Sequence, residues 1–188
     1  QENASLPTFQ LVDLRAQDVK STTISLPADS YSDATTPDVT HTLSSMSWDS
    51  GSRYVIIKHL YKDQTEWLVL DTQNGGTATN ITQVLGVALT DVRFASTNGK
   101  VLYGLTTDGT LRKIDISAET ISRAFVSHVS EFSVYDNTVV SYIGTDAANA
   151  NKKVAGVYRD GDESAHVLRT VTSTDTNPTT LKIVTGRY

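Results

Sequence analysis

Short runs of apolar or alternating apolar and polar residues, separated by turn residues, recur along this chain. The clearest series lies between Asp91 and Val126, where four such runs follow one another. Asn98-Gly99 and Asp108-Gly109 separate three of them. Both dipeptides favour two-residue hairpin turns, whose central residues need positive φ. The pattern therefore predicts four consecutive antiparallel strands in this stretch.

Comparable sets of runs lie on either side of this stretch. The predicted first strands centre near Trp48, Phe94, Val134 and Ile183, which gives a period of roughly 40 to 50 residues, the blade length of propeller arrays. The run from Tyr54 to Leu60 is almost continuously apolar, and this pattern predicts a strand covered on both faces.

An all-β fold of repeated four-stranded antiparallel meanders is the architecture of β-propeller blades. We expect a single partial propeller domain over residues 1–188, with about three full blades and partial blades at both ends. Phe9–Leu14 and Thr22–Leu26 supply two strands at one end, and Leu181–Val184 supplies a first strand at the other. Propellers need about four to eight blades to close. The chain is therefore expected to be a piece of a larger propeller, the alternative being a four-blade ring that its own ends complete.

The stretch from Ala28 to Thr40 is rich in Ser, Asp, Thr and Pro and has almost no apolar content. This composition predicts an exposed, mobile loop. No stretch keeps a 3.6-residue apolar period, so helix should account for less than about one-tenth of the chain.

Two segments resemble the first hairpin of WD40-like propellers, in particular the TolB-type blades of bacteria. They are Ser47-Trp48-Asp49-Ser50-Gly51-Ser52-Arg53-Tyr54-Val55 and Phe94-Ala95-Ser96-Thr97-Asn98-Gly99-Lys100-Val101-Leu102. The aliphatic-Asp pairs that end predicted third strands, Val12-Asp13, Leu70-Asp71 and Ile114-Asp115, resemble that family as well. The resemblance implies a propeller with a binding or scaffold role. It carries over no catalytic residues.

Charge and composition narrow the partners and the compartment. The net charge of -5 argues against nucleic acid and against an anionic membrane surface, both of which attract basic patches. No apolar run approaches the roughly 20 residues of a membrane-spanning helix. Cysteine is absent, which excludes disulfides and thiolate metal sites. The surface rich in Thr, Ser, Asp and Asn is typical of extracytoplasmic bacterial proteins.

No residue is assigned a catalytic, cofactor-binding or metal-binding role from the sequence. The histidines have no zinc-helix spacing, and we expect structural or solvent-facing roles for them: His41, His59, His128 and His166. Asp160-Gly161-Asp162-Glu163 is the densest acidic cluster, but it lacks the spacing of an EF-hand loop and predicts a hairpin turn. Neither a nucleophile elbow nor a phosphate loop occurs.

The sequence therefore predicts a non-enzymatic segment of a bacterial envelope or surface protein that recognises a protein or a glycan. Two alternatives stay open. The chain could be part of a propeller enzyme, such as a glycoside hydrolase with a carboxylate pair at the channel mouth, whose site is completed by residues outside this chain. It could also be a cytoplasmic assembly scaffold.

A homodimer is expected as well. The outward faces of partial blades would expose apolar residues that normally pack on a neighbouring blade. These residues are Phe9, Leu11 and Ile24 at one end of the chain, and Leu181 and Ile183 at the other.

Overall fold

The computed structural model describes residues 7–14, 17–36, 38–73, 76–95, 99–135, 138–174, 176 and 178–184. The chain divides into two compact units, Gln1–Gly86 and Val87–Tyr188. The expectation of one domain over residues 1–188 stays a prediction.

The first unit contains a two-stranded sheet and a four-stranded sheet. Strands β1 and β2 pair antiparallel, and strands β3 to β6 form a meander in chain order. A single turn of 3-10 helix comes between β2 and β3 in the chain, and a short helix α1 follows β6. The bounds are β1 Thr8–Asp13, β2 Lys20–Ser25, the 3-10 turn Ala28–Ser30, β3 Thr42–Trp48, β4 Tyr54–Tyr61, β5 Gln64–Asp71, β6 Thr77–Asn80 and α1 Ile81–Leu85.

The second unit contains two four-stranded antiparallel meanders, β7 to β10 and β11 to β14. The bounds are β7 Leu89–Phe94, β8 Val101–Thr106, β9 Leu111–Asp115, β10 Thr120–Ile121, β11 Val129–Tyr135, β12 Val139–Thr145, β13 Lys152–Arg159 and β14 His166–Thr172. The predicted all-β class with blade-like four-stranded sheets is therefore confirmed. None of the helices in the described part of the chain could cross a membrane.

Turn chemistry explains the hairpins that the structure describes. Gly99 and Gly109 have φ of 65° and 78°, the left-handed region that their turns require. Asn98 lies outside the described residues. Between β4 and β5, Lys62 and Asp63 both have positive φ, as a two-residue type I′ loop demands. That loop fixes the register that places His59 opposite Glu66.

At both ends of the chain the structure differs from the predicted partial blades. Phe9, Leu11 and Ile24 do not form an uncovered face, because they pack with the core of the first unit around Val55 and Leu68. Residues 181–184 are irregular rather than a strand. The expected uncovered apolar faces are therefore absent from β1 and β2, although β1 pairs on one side only among the described strands.

Candidate functional site

The predicted loop from Ala28 to Thr40 is held in place by buried contacts in the first unit. Ser30 and Tyr31 are buried, and Ser32 donates two hydrogen bonds to Glu66, one from its backbone N–H and one from its hydroxyl. The expectation of an exposed loop is wrong for Ser30 and Tyr31. The polar composition of this stretch predicts exposure to water, but Ser32 uses its polar groups to bind a buried carboxylate.

Glu66 is the centre of this polar network. It lies on β5 and is 3% exposed, and its cross-strand neighbour His59 on β4 is fully buried. His59 Nδ1 lies 3.0 Å from Glu66 Oε2, and Nε2 of His59 lies 2.9 Å from Nδ1 of His41. The Tyr61 hydroxyl donates to Gln64 and lies 3.4 Å from Glu66 Oε1.

Helix α1 extends the same polar network. Asn80 caps the helix by accepting a hydrogen bond from the Gln83 backbone N–H at 3.0 Å. The Gln83 side-chain amide then donates to the Ser32 hydroxyl at 2.8 Å. A buried carboxylate is tolerated only when its lone pairs are satisfied. Ser32 and His59 supply donors to Glu66, and the Gln83 amide lies 3.4 Å from its Oε1.

The pKa directions agree with an ionised Glu66 beside a neutral His59. Burial lowers the pKa of His59, and the hydrogen bond and charge of Glu66 offset only part of that effect. Burial by itself would raise the pKa of Glu66, but the hydrogen bonds from Ser32 and His59 outweigh it and leave the pKa below its usual range. At neutral pH the carboxylate is therefore charged and the imidazole is not.

These protonation states fix the direction of the hydrogen bonds. A carboxylate only accepts, so Nδ1 of His59 carries the proton and donates to Glu66. A neutral His59 then accepts at Nε2, so Nδ1 of His41 must be the donor. When His41 is neutral, its own Nε2 keeps a lone pair. This buried nitrogen has no hydrogen-bond partner among the described residues.

Aromatic rings hold this Glu66–His59–His41 relay in place. His59 stacks on Tyr61 at a centroid distance of 4.8 Å and on His41 at 5.1 Å. The ring of Tyr31 stands edge-on to both histidines, at 5.1 Å from His59 and 5.6 Å from His41. Stacked and edge-on rings fix the imidazole orientation in the same way as buried aromatic pairs.

The other singled-out groups do not join the relay. His166 is exposed and pairs with Asp162 at 3.3 Å, and His128 lies at a turn with positive φ. Asp160 pairs with Lys113, and Gly161 has φ of 99°, so the acidic cluster forms the predicted turn. In the described ranges no group of three or more His, Asp or Glu side chains could hold a metal ion.

The relay is not evident from the sequence because neither histidine belongs to a recognisable spacing motif. His59 stands inside an apolar strand, and Glu66 is seven positions further on. The two-residue loop Lys62-Asp63 between them gives the 59–66 pairing directly. A buried His opposite a buried Glu was therefore the signal available in the sequence.

An open cleft of about 620 Å³ lies at the other end of the same sheet. It is lined by Trp48, Ser52 and Thr72 and by five consecutive residues at the end of β1 and just after it, Gln10 to Leu14. Trp48 ends β3, whereas His41 directly precedes it. Seven strand residues span about 23 Å at a rise of about 3.3 Å per residue, so the cleft and the relay are separate sites.

The fold is shared with two solved structures. An oligogalacturonate lyase from Vibrio parahaemolyticus matches with 12% identity and a TM-score of 0.54, over 88% of this chain and 47% of the lyase chain. An oligogalacturonate lyase in complex with manganese matches with 12% identity and a TM-score of 0.52, over 88% of this chain and 48% of the lyase chain. This chain thus spans about half the length of each. No protein-family model matches the chain, and no curated protein matches it.

These neighbours are β-propellers, so the likeness supports the propeller fold of the sheets. It also contradicts the expectation that the chain is not an enzyme, because both neighbours are enzymes. That expectation rested on the lack of a local catalytic motif. A propeller site assembled from separate strands and loops leaves no such motif in the sequence.

The residues described here do not fit the manganese named for the second neighbour. Both ring nitrogens of His59 are engaged, one with His41 and the other with Glu66. The relay therefore offers a metal at most the lone pair of His41.

The first unit should lose stability as the pH falls, in two stages. The folded pKa of His59 is lowered, so below the unfolded value of about 6.5 only the unfolded state binds the proton readily. The folded pKa of Glu66 is also lowered. Its contribution is complete above the unfolded value of about 4.3 and is lost as the pH falls through the lower folded pKa.

Urea unfolding followed by tryptophan fluorescence between about pH 7.5 and 2.5 covers both stages of this loss. Both tryptophans of the chain, Trp48 and Trp67, lie in the first unit. His59→Gln should remove the first stage, and His166→Gln, at an exposed ring, should leave it. A stability that stays constant from neutral pH to about 5 would contradict the buried neutral state of His59.

Proposed function

We propose that this chain is part of a β-propeller enzyme that acts on oligosaccharides by general-base catalysis, with Nε2 of His41 as the base. The single observation that carries the proposal is the Glu66–His59–His41 relay, which ends in a buried lone pair without a partner among the described residues. The shared fold of two oligogalacturonate lyases supports the substrate class. The TolB-type assignment of the blades stays a proposal, supported by the two hairpin segments.

The relay suits proton abstraction. When Nε2 of His41 takes a proton, the new positive charge is shared through Nδ1–H of His41 to His59, and from His59 to the Glu66 carboxylate. A carboxylate that orients and stabilises an imidazolium through a hydrogen bond is the usual means of strengthening a histidine base. Because Nε2 of His41 is buried, catalysis requires the chain next to it to open and admit the substrate.

The buried carboxylates in the described part of the first unit do not by themselves form the pair that a two-carboxylate hydrolysis needs, so such a site would depend on a carboxylate from elsewhere. Two buried carboxylates occur in the described part of the first unit, Glu66 and Asp49. Asp49 accepts from the Tyr54 backbone N–H at 2.7 Å, at the start of β4, and Glu66 pairs with His59 near its end. Five residues along a strand span about 17 Å, whereas glycoside hydrolases place their two carboxylates about 5 to 9.5 Å apart.

For a uronate-containing oligosaccharide, the corresponding reaction is an elimination. The base removes the proton from the carbon next to the carboxylate, and the bond to the leaving sugar oxygen breaks as the double bond forms. The leaving oxygen takes a proton from water, and His41 then returns its own proton to the solvent. The products are an unsaturated uronate and a shortened sugar chain. This scheme needs no oxidant or reductant.

The experiment incubates the purified protein at its natural full length with oligogalacturonate and, separately, with a neutral oligosaccharide. Ultraviolet absorbance and mass spectrometry detect an unsaturated product. His41→Gln keeps an amide that can donate to His59 but removes the base, and it should lower kcat/KM at least about 100-fold. His166→Gln, the same change at an exposed histidine, should leave the rate unchanged.

Two results would overturn the proposal. One is the absence of any product from both substrate classes. The other is full activity in a folded His41→Gln variant.

A further inference from the structure

The free edge of β1 carries an inference that is independent of the proposed activity. Strand β1 pairs with β2 and with no other described strand, whereas the remaining three sheets each contain four strands. Five consecutive residues that line the open cleft, Gln10 to Leu14, lie within β1 or directly after it. Consecutive strand residues point to opposite faces, so the cleft lies along the edge of β1 rather than on one face.

The alternation of hydrogen-bonded and non-hydrogen-bonded pairs between β1 and β2 shows which backbone groups of β1 face the cleft. The Leu26 backbone N–H donates to the Pro7 carbonyl at 2.9 Å, so the pair Pro7–Leu26 belongs to the hydrogen-bonded set. Antiparallel pairs alternate between bonded and non-bonded. Thr8, Gln10 and Val12 therefore turn their N–H and C=O groups away from β2 and toward the free edge.

We propose that this edge binds the β1 edge of a second copy of this chain, in an antiparallel pair about a two-fold axis. The resulting sheet has the order β2–β1–β1–β2. It contains four antiparallel strands, the same number as each of the other three sheets. A two-fold interface uses the same patch on both partners and closes without further growth.

The residues of β1 select the register. With the axis at Gln10, the two Gln10 residues exchange both of their backbone hydrogen bonds, and Thr8 of each copy lies opposite Val12 of the other. Phe9 then lies opposite Leu11 twice, which gives two apolar cross-strand pairs on the face that already packs on the core. Moving the axis to Leu11 would place Phe9 opposite Asp13 instead.

Side-chain exposure agrees with an edge that is covered in the dimer. Val12 and Trp48 are 48% and 46% exposed, and both line the cleft. An exposed strand edge with apolar side chains and no proline or lysine within it lacks the features that normally prevent edge pairing. The segment Thr8–Asp13 contains neither residue.

The test uses the lack of native cysteine. In the proposed register the two Gln10 Cα atoms are about 5.5 Å apart, within the range that a disulfide spans. Gln10→Cys should therefore oxidise to a covalent dimer. The matched control is Thr23→Cys, the cross-strand neighbour of Gln10 on β2, which should stay monomeric on a denaturing gel.

Light scattering at micromolar concentrations, on the unmodified chain and on proline variants, completes the experiment. Gln10→Pro removes both symmetric hydrogen bonds at the axis and should raise the dimer dissociation constant at least about tenfold. Thr23→Pro places the same residue on the opposite edge of the hairpin and should leave the constant unchanged. A dimer with the Gln10→Cys crosslink supports the proposal. A chain that stays monomeric at tens of micromolar overturns it, and so does a dimer that neither crosslinks at Gln10 nor responds to Gln10→Pro.

Discussion

Glu66→Ala should lower the free energy of unfolding of the first unit by about 3–5 kcal/mol, because it removes the acceptor of a buried network. His59 is fully buried and donates to this carboxylate, and Ser32 donates to it twice. Without Glu66 the buried His59 lacks its acceptor and the half-buried Ser32 loses both hydrogen bonds, and a buried unsatisfied group costs about 1–3 kcal/mol. The cavity left by the side chain adds to the loss.

Urea unfolding followed by tryptophan fluorescence measures the effect in the first unit. Lys62→Ala is a suitable control on the same hairpin, since it removes the solvent-exposed ion pair with Asp33, and exposed ion pairs contribute little to stability. Equal losses from Glu66→Ala and Lys62→Ala would contradict the central role of the carboxylate.

Gly144→Ala should destabilise the second unit by about 3 kcal/mol, at the upper end of overpacking effects. A Cβ at Gly144 would lie 2.2 Å from the His128 carbonyl oxygen and 3.2 Å from the Val129 Cα. Both atoms belong to the backbone where β11 enters its sheet, beside the irregular register at Val129. Backbone held in a ladder cannot move aside without breaking hydrogen bonds.

Gly104→Ala is the matched control in the same unit. A Cβ there would lie 2.7 Å from Cδ1 of Ile114 and 3.1 Å from Cδ2 of Leu89, which are the far ends of side chains that can change rotamer. Thermal unfolding followed by circular dichroism should therefore show a larger decrease in Tm for Gly144→Ala. A smaller decrease than for Gly104→Ala would show that the β11 backbone yields more easily than its pairing implies.

The strands were predictable from sequence because their turns have distinctive chemistry. Gly99 and Gly109 mark hairpins that only a left-handed residue closes easily. One face of the apolar run at Tyr54–Tyr61 is fully buried as its composition predicts, whereas the other face is only partly covered and leaves Leu60 exposed. The spacing of these turns and apolar runs along the chain predicts the length of each repeat. The short strand β10 and the irregular residues 181–184 were not predictable, because their pairing depends on distant partners.

The relay was harder to predict because its parts come from a loop, two strands and a helix. His41 follows a polar stretch that reads as solvent-exposed, and only its position beside His59 makes it chemically distinctive. Ser32 and Gln83 are 51 positions apart, yet they share a hydrogen bond. Extracytoplasmic localisation and the lack of a nucleic-acid partner stay predictions from composition and charge.

The hydrogen bond from the Ser32 backbone N–H to Glu66 makes one amide proton a reporter on the whole network. A backbone amide exchanges with solvent deuterium only when its hydrogen bond opens, so the Ser32 exchange rate records how often the carboxylate releases the loop. If the chain beside His41 opens to admit an oligosaccharide, this amide should exchange faster than those in the centre of β5. A bound oligosaccharide that holds the loop open should accelerate it further.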